Sequence, residues 1–387
     1  ENIAIPNVSS FYYDKKNNKY YIGSAVSGLY VITPSDFFTP PAPVAAVNQG
    51  FYGQSVTEEG VLSQQFLFRR NGTHEKYPII SNLKSTWYRP ETRSLYYAPD
   101  LTLLRFDLRT GKTYHLATLT TRLSSIFPDP WQERNLVFST SFSIGKMAQD
   151  TLLEEKRIPL TKGQELFAPY PAGIDTFLLA TWSGVKWYDY RRNKIYRSIL
   201  DSLAIRQLYA ESPERIWMAS YGKGWYLYHK GRITRMPDGP LDALRTVNAI
   251  IDDGRGYFWL SSNNGLFKVS KQALLNYAQN KSEEVYFYTF TTKDHLPTNE
   301  FNSCNPSYVW LPDSMLSLPS LKGLVWFYPH RLRLSLPDKG IYIEHIHIDQ
   351  KDIHQVDKLA LEPDHGRLNI KVSSPYFGNK ENMQLRF

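Results

Sequence analysis

The side chains that could do chemistry are few, and their spacing brings little of it together. Glycoside hydrolysis needs two carboxylates about 5–10 Å apart across a sugar. Asp252 and Asp253 are the nearest pair, but adjacent residues at the end of a strand point to opposite faces, and both are read as turn formers. His345 and His347 stand two apart on a predicted strand and so share a face, a spacing that can ligate a metal. Glu344 and Asp349 lie near them, yet no third ligand of suitable type stands out, so no metal site is expected. Cys304 is the only cysteine, which excludes an internal disulfide and Cys-rich metal sites. It has no histidine near it in sequence and is expected as a half-buried apolar residue. There is no Gly-x-Ser-x-Gly elbow, no phosphate-cradling glycine loop and no dinucleotide fingerprint. No catalytic residues and no cofactor are expected in these residues.

Binding chemistry is better supplied. Trp182-Ser183, Tyr221-Gly222-Lys223 and Asn263-Asn264 each occupy a short loop, as do Arg245-Thr246 with Asn248 and Asn299-Glu300. Aromatic rings stack on sugar C–H faces, while amides and cations hydrogen-bond hydroxyls and carboxylates. The candidate ligand-binding residues are therefore Trp182, Tyr221, Lys223, Arg245, Asn248, Asn263, Asn264, Asn299 and Glu300, with a neutral or acidic carbohydrate as the expected guest. They can act together only if the elements carrying them converge.

A repeat supplies that convergence. A strand of apolar and aromatic residues ending in a small residue and then Ser or Thr recurs along the chain. It reads Tyr20-Tyr21-Ile22-Gly23-Ser24, Leu136-Val137-Phe138-Ser139-Thr140, Phe177-Leu178-Leu179-Ala180-Thr181, Ile216-Trp217-Met218-Ala219-Ser220 and Phe258-Trp259-Leu260-Ser261-Ser262, with a weaker copy at Leu95-Tyr96-Tyr97-Ala98-Pro99. The small positions 23, 98, 139, 180, 219 and 261 are separated by 75, 41, 41, 39 and 42 residues. The first step holds two periods, so a degenerate copy is expected between 50 and 80. Gly28, Gly184, Gly224 and Gly265 follow the pattern and open a third strand, where a tight hairpin demands positive φ. A last copy, Asp313 to Pro319 then Gly323 to Pro329, comes 58 residues after Ser261. Four antiparallel strands in about 40 residues is a β-propeller blade. The expectation is an all-β propeller of four-stranded blades over residues 1–336, with seven blades and eight as the alternative. Loops between second and third strands, and those leading into each first strand, then emerge on one face. One helix, Lys271 to Gln279, is predicted.

Composition agrees with this reading. Tyr 27, Phe 20 and Trp 9 make the chain 14% aromatic, and the repeated rings are expected to fill the gaps between blades. The net charge of +8 comes from Lys and Arg scattered singly or in pairs such as Arg69-Arg70 and Arg191-Arg192, which argues against a nucleic-acid surface. No run of about 18 apolar residues occurs, and no basic-then-apolar leader opens the chain, so any signal or membrane anchor is expected outside these residues. From 337 the pattern changes: Ile341, Ile343, Ile346 and Ile348 alternate with polar residues, and Leu368 to Val372 follows. Residues 337–387 are expected to begin a β-sandwich that continues past Phe387.

Asp252-Asp253-Gly254 through Trp259 to Phe267 resembles the two-component regulator propeller repeat. Asn299-Glu300-Phe301-Asn302 followed by Gly323 to Pro329 is similar to that family's closing blade, and Ser373-Ser374-Pro375-Tyr376-Phe377-Gly378-Asn379 resembles the start of its three-Y domain. The resemblance implies the periplasmic sensor region of a Bacteroidetes-type histidine kinase or hybrid regulator. It also implies homodimerisation through the three-Y region, no nucleic-acid partner here, and a membrane segment and signalling module beyond it. A secreted glycan-binding or glycan-degrading propeller is the alternative.

Overall fold

A polar turn after a first strand, an aromatic second strand, a glycine hairpin and an outer strand fold into a four-stranded meander, and this unit recurs in the computed structural model. The structure describes residues 4–15, 18–43, 50–78, 85–332, 334, 340–348, 351–353, 366–374, 376 and 378–384. They form two compact units: Ser35–Leu332, and Glu1–Pro34 together with Arg333–Phe387.

Seven antiparallel sheets build the larger unit, spanning 54–76, 86–118, 123–157, 166–199, 205–235, 247–290 and 309–327; these are blades one to seven. First strands of blades one to six touch in turn, blades six and seven share a hydrophobic cluster, and Val309–Trp310 of blade seven returns to Gln54–Val56 of blade one, closing a ring. The first six blades have four strands each, while blade seven has three. Its outer edge is supplied by the start of the unit: Phe38 and Trp326 exchange backbone hydrogen bonds of 2.8 and 2.7 Å. Residues 50–80 do contain the degenerate copy.

Seven hydrophobic clusters lie one at each blade–blade interface, as the composition implied. Blades five and six share Trp217, Trp225, Phe258 and Phe267; blades six and seven share Trp259, Leu318 and Phe327, with Phe37 joining them. The small repeat positions Ser139, Ala180, Ala219 and Ser261 are fully buried there. Helix α1 spans Lys271–Gln279 as predicted, capped by the Ser270 hydroxyl.

The Ser or Thr after each small residue has a role that the repeat left unexplained. Thr181, Ser220, Ser262 and Ser320 each donate a hydroxyl to the carbonyl of the glycine opening the third strand, at 2.9, 2.6, 3.2 and 2.7 Å. The hydroxyl ties off the hairpin, and the glycine supplies the turn. Gly184 has φ of 84°, and a Cβ there would sit 2.1 Å from the Ile199 carbonyl oxygen. Gly184→Ala is expected to destabilise the ring by about 2 kcal/mol or more, read as a lower urea midpoint with unchanged slope.

The first repeat copy lies outside the ring. Val8–Asp14, Lys19–Ser24 and Gly28–Ile32 form a three-stranded meander belonging to the smaller unit, whereas the seven blades described above lie within Ser35–Leu332. The physical difference is visible in burial: Phe11, Tyr12 and Leu29 are exposed, where ring copies are covered on both faces. The same unit holds a sheet of Tyr342–Ile348, Lys351–Ile353 and Leu368–Ser373, matching the two strands expected after 337. The boundary expected at 336/337 lies outside the described residues, as do Pro375 and Phe377 of the three-Y resemblance.

Candidate functional site

Each blade turns its first strand toward the ring axis, and in blades three to six that strand carries a bulge at its start. Pairing skips one residue between Leu123 and Ser125, Leu166 and Ala168, Ile205 and Gln207, and Val247 and Ala249. The skipped residues are Ser124, Phe167, Arg206 and Asn248. A bulge leaves its extra residue out of the ladder and re-aims the side chain. One variable side chain per blade is thus freed at the same end of the ring.

The hairpins between second and third strands dock beside these bulges. Trp182 N–H donates to the Glu165 carbonyl at 3.0 Å, and Tyr221 N–H to the Ala204 carbonyl at 2.9 Å. The two loop classes expected to share a face are therefore bonded to one another. Together they enclose a cavity of about 470 Å³ lined by Arg122, Ser124, Glu165, Phe167, Trp182, Arg206 and Asn305 among others. That volume falls within the ~300–1,000 Å³ usual for small-ligand sites.

The floor of the cavity is Asn305, whose amide donates to the Ser124 and Phe167 carbonyls at 3.3 and 3.2 Å. Below it, still lined by Asn305, opens an apolar channel of about 500 Å³ with Val56, Ile126, Pro169, Tyr170, Tyr308 and Trp310 on its wall. Burial pushes the Tyr170 hydroxyl pKa up, and that of Tyr308 to about 12, so both stay neutral donors. Cys304 is buried at the cavity edge with its thiol against the Tyr52 and Pro306 carbonyls, and burial raises its pKa. It is more deeply buried than expected, and it stays protonated and unreactive.

Rings and a guanidinium form a ladder that starts on the cavity wall and runs beyond its lining to Tyr221. Trp182 and Phe167 have centroids 4.9 Å apart, and the Arg206 guanidinium carbon lies 5.7 Å from the Phe167 ring and 3.7 Å from that of Tyr221. Trp182 and Tyr221 are half exposed. These two sequence-derived candidates are thus linked through Arg206, which sequence reasoning passed over together with Arg122, Glu165, Phe167 and Asn305.

The remaining candidates stand elsewhere. Lys223 and Arg245 are exposed and do not line this cavity; the Arg245 carbonyl accepts from Gly224 N–H of the blade-five hairpin, and the Lys223 carbonyl accepts from the Tyr226 hydroxyl. Asn248 occupies the bulge position but is buried, its amide donating to Asn263 and to the Phe301 carbonyl, both at 2.8 Å. Asn264 donates to the Ala243 carbonyl, and Asn299 accepts from Thr292 N–H. Those amides hold loops together. Glu300 is exposed outside the cavity.

Asp252 and Asp253 behave as turn formers: the first accepts from Gly254 N–H, the second from Arg255 and Tyr257 N–H. His347 pairs with Asp352 at 2.6 Å. Among the described residues no helix is long and apolar enough to cross a membrane.

No family model matches the sequence, and no curated protein does. Solved structures do. The extracellular domain of BT3049 from B. thetaiotaomicron, described as a hybrid two-component system, aligns at TM-score 0.64 and 16% identity over 93% of this chain and 50% of that one. The extracellular domain of BT4673 from the same organism, described as a one-component system, aligns at TM-score 0.56 and 12% identity over 89% of this chain and 48% of that one. A streptogramin B lyase aligns at TM-score 0.55 and 12% identity over 75% of this chain and 97% of that one. The chain spans about half the length of the two extracellular domains. At such identities the likenesses establish the fold, a β-propeller, which receptors and an enzyme share; function must come from the site.

Proposed function

We propose that this chain is the extracytoplasmic, periplasmic ligand-sensing region of a two-component signal-transduction receptor, and that it takes a carbohydrate-type ligand at the mouth of the propeller channel. The observation that carries this reading is the cavity itself: exposed tryptophan, phenylalanine, free cations and an amide converge beside the bulges of three consecutive blades, three to five. The resemblance to the two-component regulator repeat, and a fold shared with extracellular domains of such systems, support the sensory role. Glu165 is the one carboxylate among the cavity's lining residues, so the pair needed for glycoside hydrolysis is missing there and binding is favoured over cleavage. Signalling would pass through the region after 337 that resembles a three-Y domain, by a ligand that prefers one of two dimer states.

The test is thermal-shift screening of the chain against neutral and acidic oligosaccharides. A true ligand at 100 times its Kd adds about 2.7 kcal/mol of stability. Trp182→Ala, which removes a half-exposed ring, is expected to abolish the shift while leaving the unliganded melting temperature nearly unchanged. A panel that leaves the melting temperature unmoved overturns the carbohydrate reading.

A further inference from the structure

Several buried or half-buried cations of the ring have acceptors within the protein: the buried Arg89 guanidinium donates to the Arg134 carbonyl at 2.8 Å, and others pair with carboxylates. Lys146 pairs with Asp175 at 2.9 Å, Lys186 with Asp201 at 3.2 Å, Lys271 with Glu211 and Asp252 at 3.1 and 2.7 Å, and Arg105 with Asp150. Arg206 has none. Its Nε is fully buried without a hydrogen-bond partner, as is that of Arg105, but no ion pair reaches Arg206 among the described residues. A buried, unsatisfied donor on a charged group is costly, by roughly 1–3 kcal/mol or more, so its persistence at a cavity wall points to a partner that arrives from solution.

Three further features say what that partner is. The Arg206 guanidinium carbon lies 3.7 Å from the Tyr221 ring centroid, so the ring covers one side of the guanidinium fork. A planar two-oxygen carboxylate matches that fork. Arg122 lines the same cavity without an ion pair, and Glu165 is its one carboxylate, leaving an excess of one positive charge. The Phe167–Trp182 pair offers an apolar face beside the charge, suited to the C–H face of a sugar ring. Burial holds the Arg206 pKa below its ordinary value, but the group stays charged at neutral pH.

We infer that the channel-mouth cavity is a receptor for a uronic acid, with the sugar carboxylate on Arg206 and its ring against Phe167 and Trp182. This rests on the carbohydrate-sensing reading and narrows it to one class of sugar. Arg206 is then the specificity determinant, and Arg122 adds long-range attraction that salt screens.

The test is calorimetric titration of the chain with oligosaccharides of galacturonate, glucuronate and mannuronate, each beside its methyl ester. The ester keeps the ring and hydroxyls and removes the charge. At least one acid is expected to bind, with its ester weaker by roughly tenfold or more. Arg206→Gln should weaken the acid by a similar factor and so erase the preference for acid over ester; Arg206→Lys should keep part of the acid's affinity. Esters or neutral oligosaccharides that bind as tightly as the acids overturn the uronate inference and leave carbohydrate sensing standing. So does an Arg206→Gln variant that holds the acid as the parent does. Sulfated sugars binding where uronates do not overturns the carboxylate. Silence from acids, esters and neutral sugars alike overturns both readings.

Discussion

Replacing Phe37 by Ala is expected to lower the stability of the propeller by about 3–5 kcal/mol, the range for deleting a buried aromatic from a core. Phe37 is 8% exposed and packs edge-on to Phe290 at 5.5 Å and tilted on Phe327 at 5.3 Å, between blades six and seven. Its neighbour Phe38 makes the two backbone hydrogen bonds to Trp326 that complete blade seven. The contact joins segments 288 residues apart (326 − 38), so it is the fastening of the ring as well as a piece of core. Truncating Phe37 opens a cavity at that fastening and weakens the edge that covers Trp326. Phe38→Ala is the control: its side chain is 41% exposed, and the backbone bonds survive the change, so a loss of about 1 kcal/mol or less is expected. Urea unfolding of both variants decides the matter. Equal small losses for the two would show that the ring does not depend on this closure.

The closure was not legible in the sequence, and the reason is physical. A blade copy is recognised by an aromatic strand, a small residue, a hydroxyl and a glycine, and residues 20–30 display all of these. Pattern alone cannot say which sheet lies against which, so it does not distinguish that copy from the blades of the ring. The segment that does close it, a single bridge at Phe38, carries no repeat signature, because an outer edge needs only backbone donors and acceptors and one ring pointing inward. By contrast the blades from 95 onward, helix α1 and the glycine turns were legible, since each is dictated by local chemistry: capping, positive φ, or burial of a small residue. The site was half legible. Trp182 and Tyr221 stood out because large rings on short loops lack a packing reason. Arg206 and Phe167 did not, because a bulge is a register event between two strands, and nothing in one strand announces it. The signal available was positional: both follow the first buried residue of a first strand, the position that also held Asn248. In blade six that residue is consumed by Asn263 and the Phe301 carbonyl. The same position therefore serves structure in one blade and the cavity in its neighbours.

Lys271→Met is expected to destabilise the protein by about 2–3 kcal/mol at neutral pH, and the loss should shrink as the pH falls below the ordinary carboxylate range. Lys271 lies between Glu211 of blade five and Asp252 of blade six, at 3.1 and 2.7 Å, with about a fifth of each side chain exposed. Tyr209 donates to Asp252 at 2.7 Å and Trp217 to Glu211 at 3.0 Å, so one ammonium organises a polar network across an otherwise apolar interface. Burial pushes both carboxyl pKa values up, but hydrogen bonds from Trp217 and Lys271 to Glu211, and from Lys271 and Tyr209 to Asp252, outweigh it and hold both below their usual values. Burial likewise pulls the Lys271 pKa down, and its two carboxylate partners more than restore it. Removing the ammonium leaves two partly buried carboxylates facing each other. Breaking a fully buried pair costs about 3–5 kcal/mol; Arg215 remains 3.2 Å from Glu211, which keeps the expected figure lower. The sign with pH follows from the depressed carboxyl values. In the parent protein their contribution is fully present above the unfolded-state value near 4, and it is lost as the pH falls through the lower folded values. In the variant the carboxylates have lost their cation and protonate more readily, so acid relieves their repulsion. The stability difference between parent and variant should therefore be greatest at pH 7 and decline below about pH 4–5. Urea midpoints measured from about pH 2.5 to pH 8 test this. A difference that stays constant over that range would mean that Lys271 acts through its aliphatic stem on Phe258, 5.0 Å from its ammonium, and not through charge. The triple variant with Glu211→Gln and Asp252→Asn supplies the cycle: if the network is electrostatic, it should recover part of what Lys271→Met alone loses.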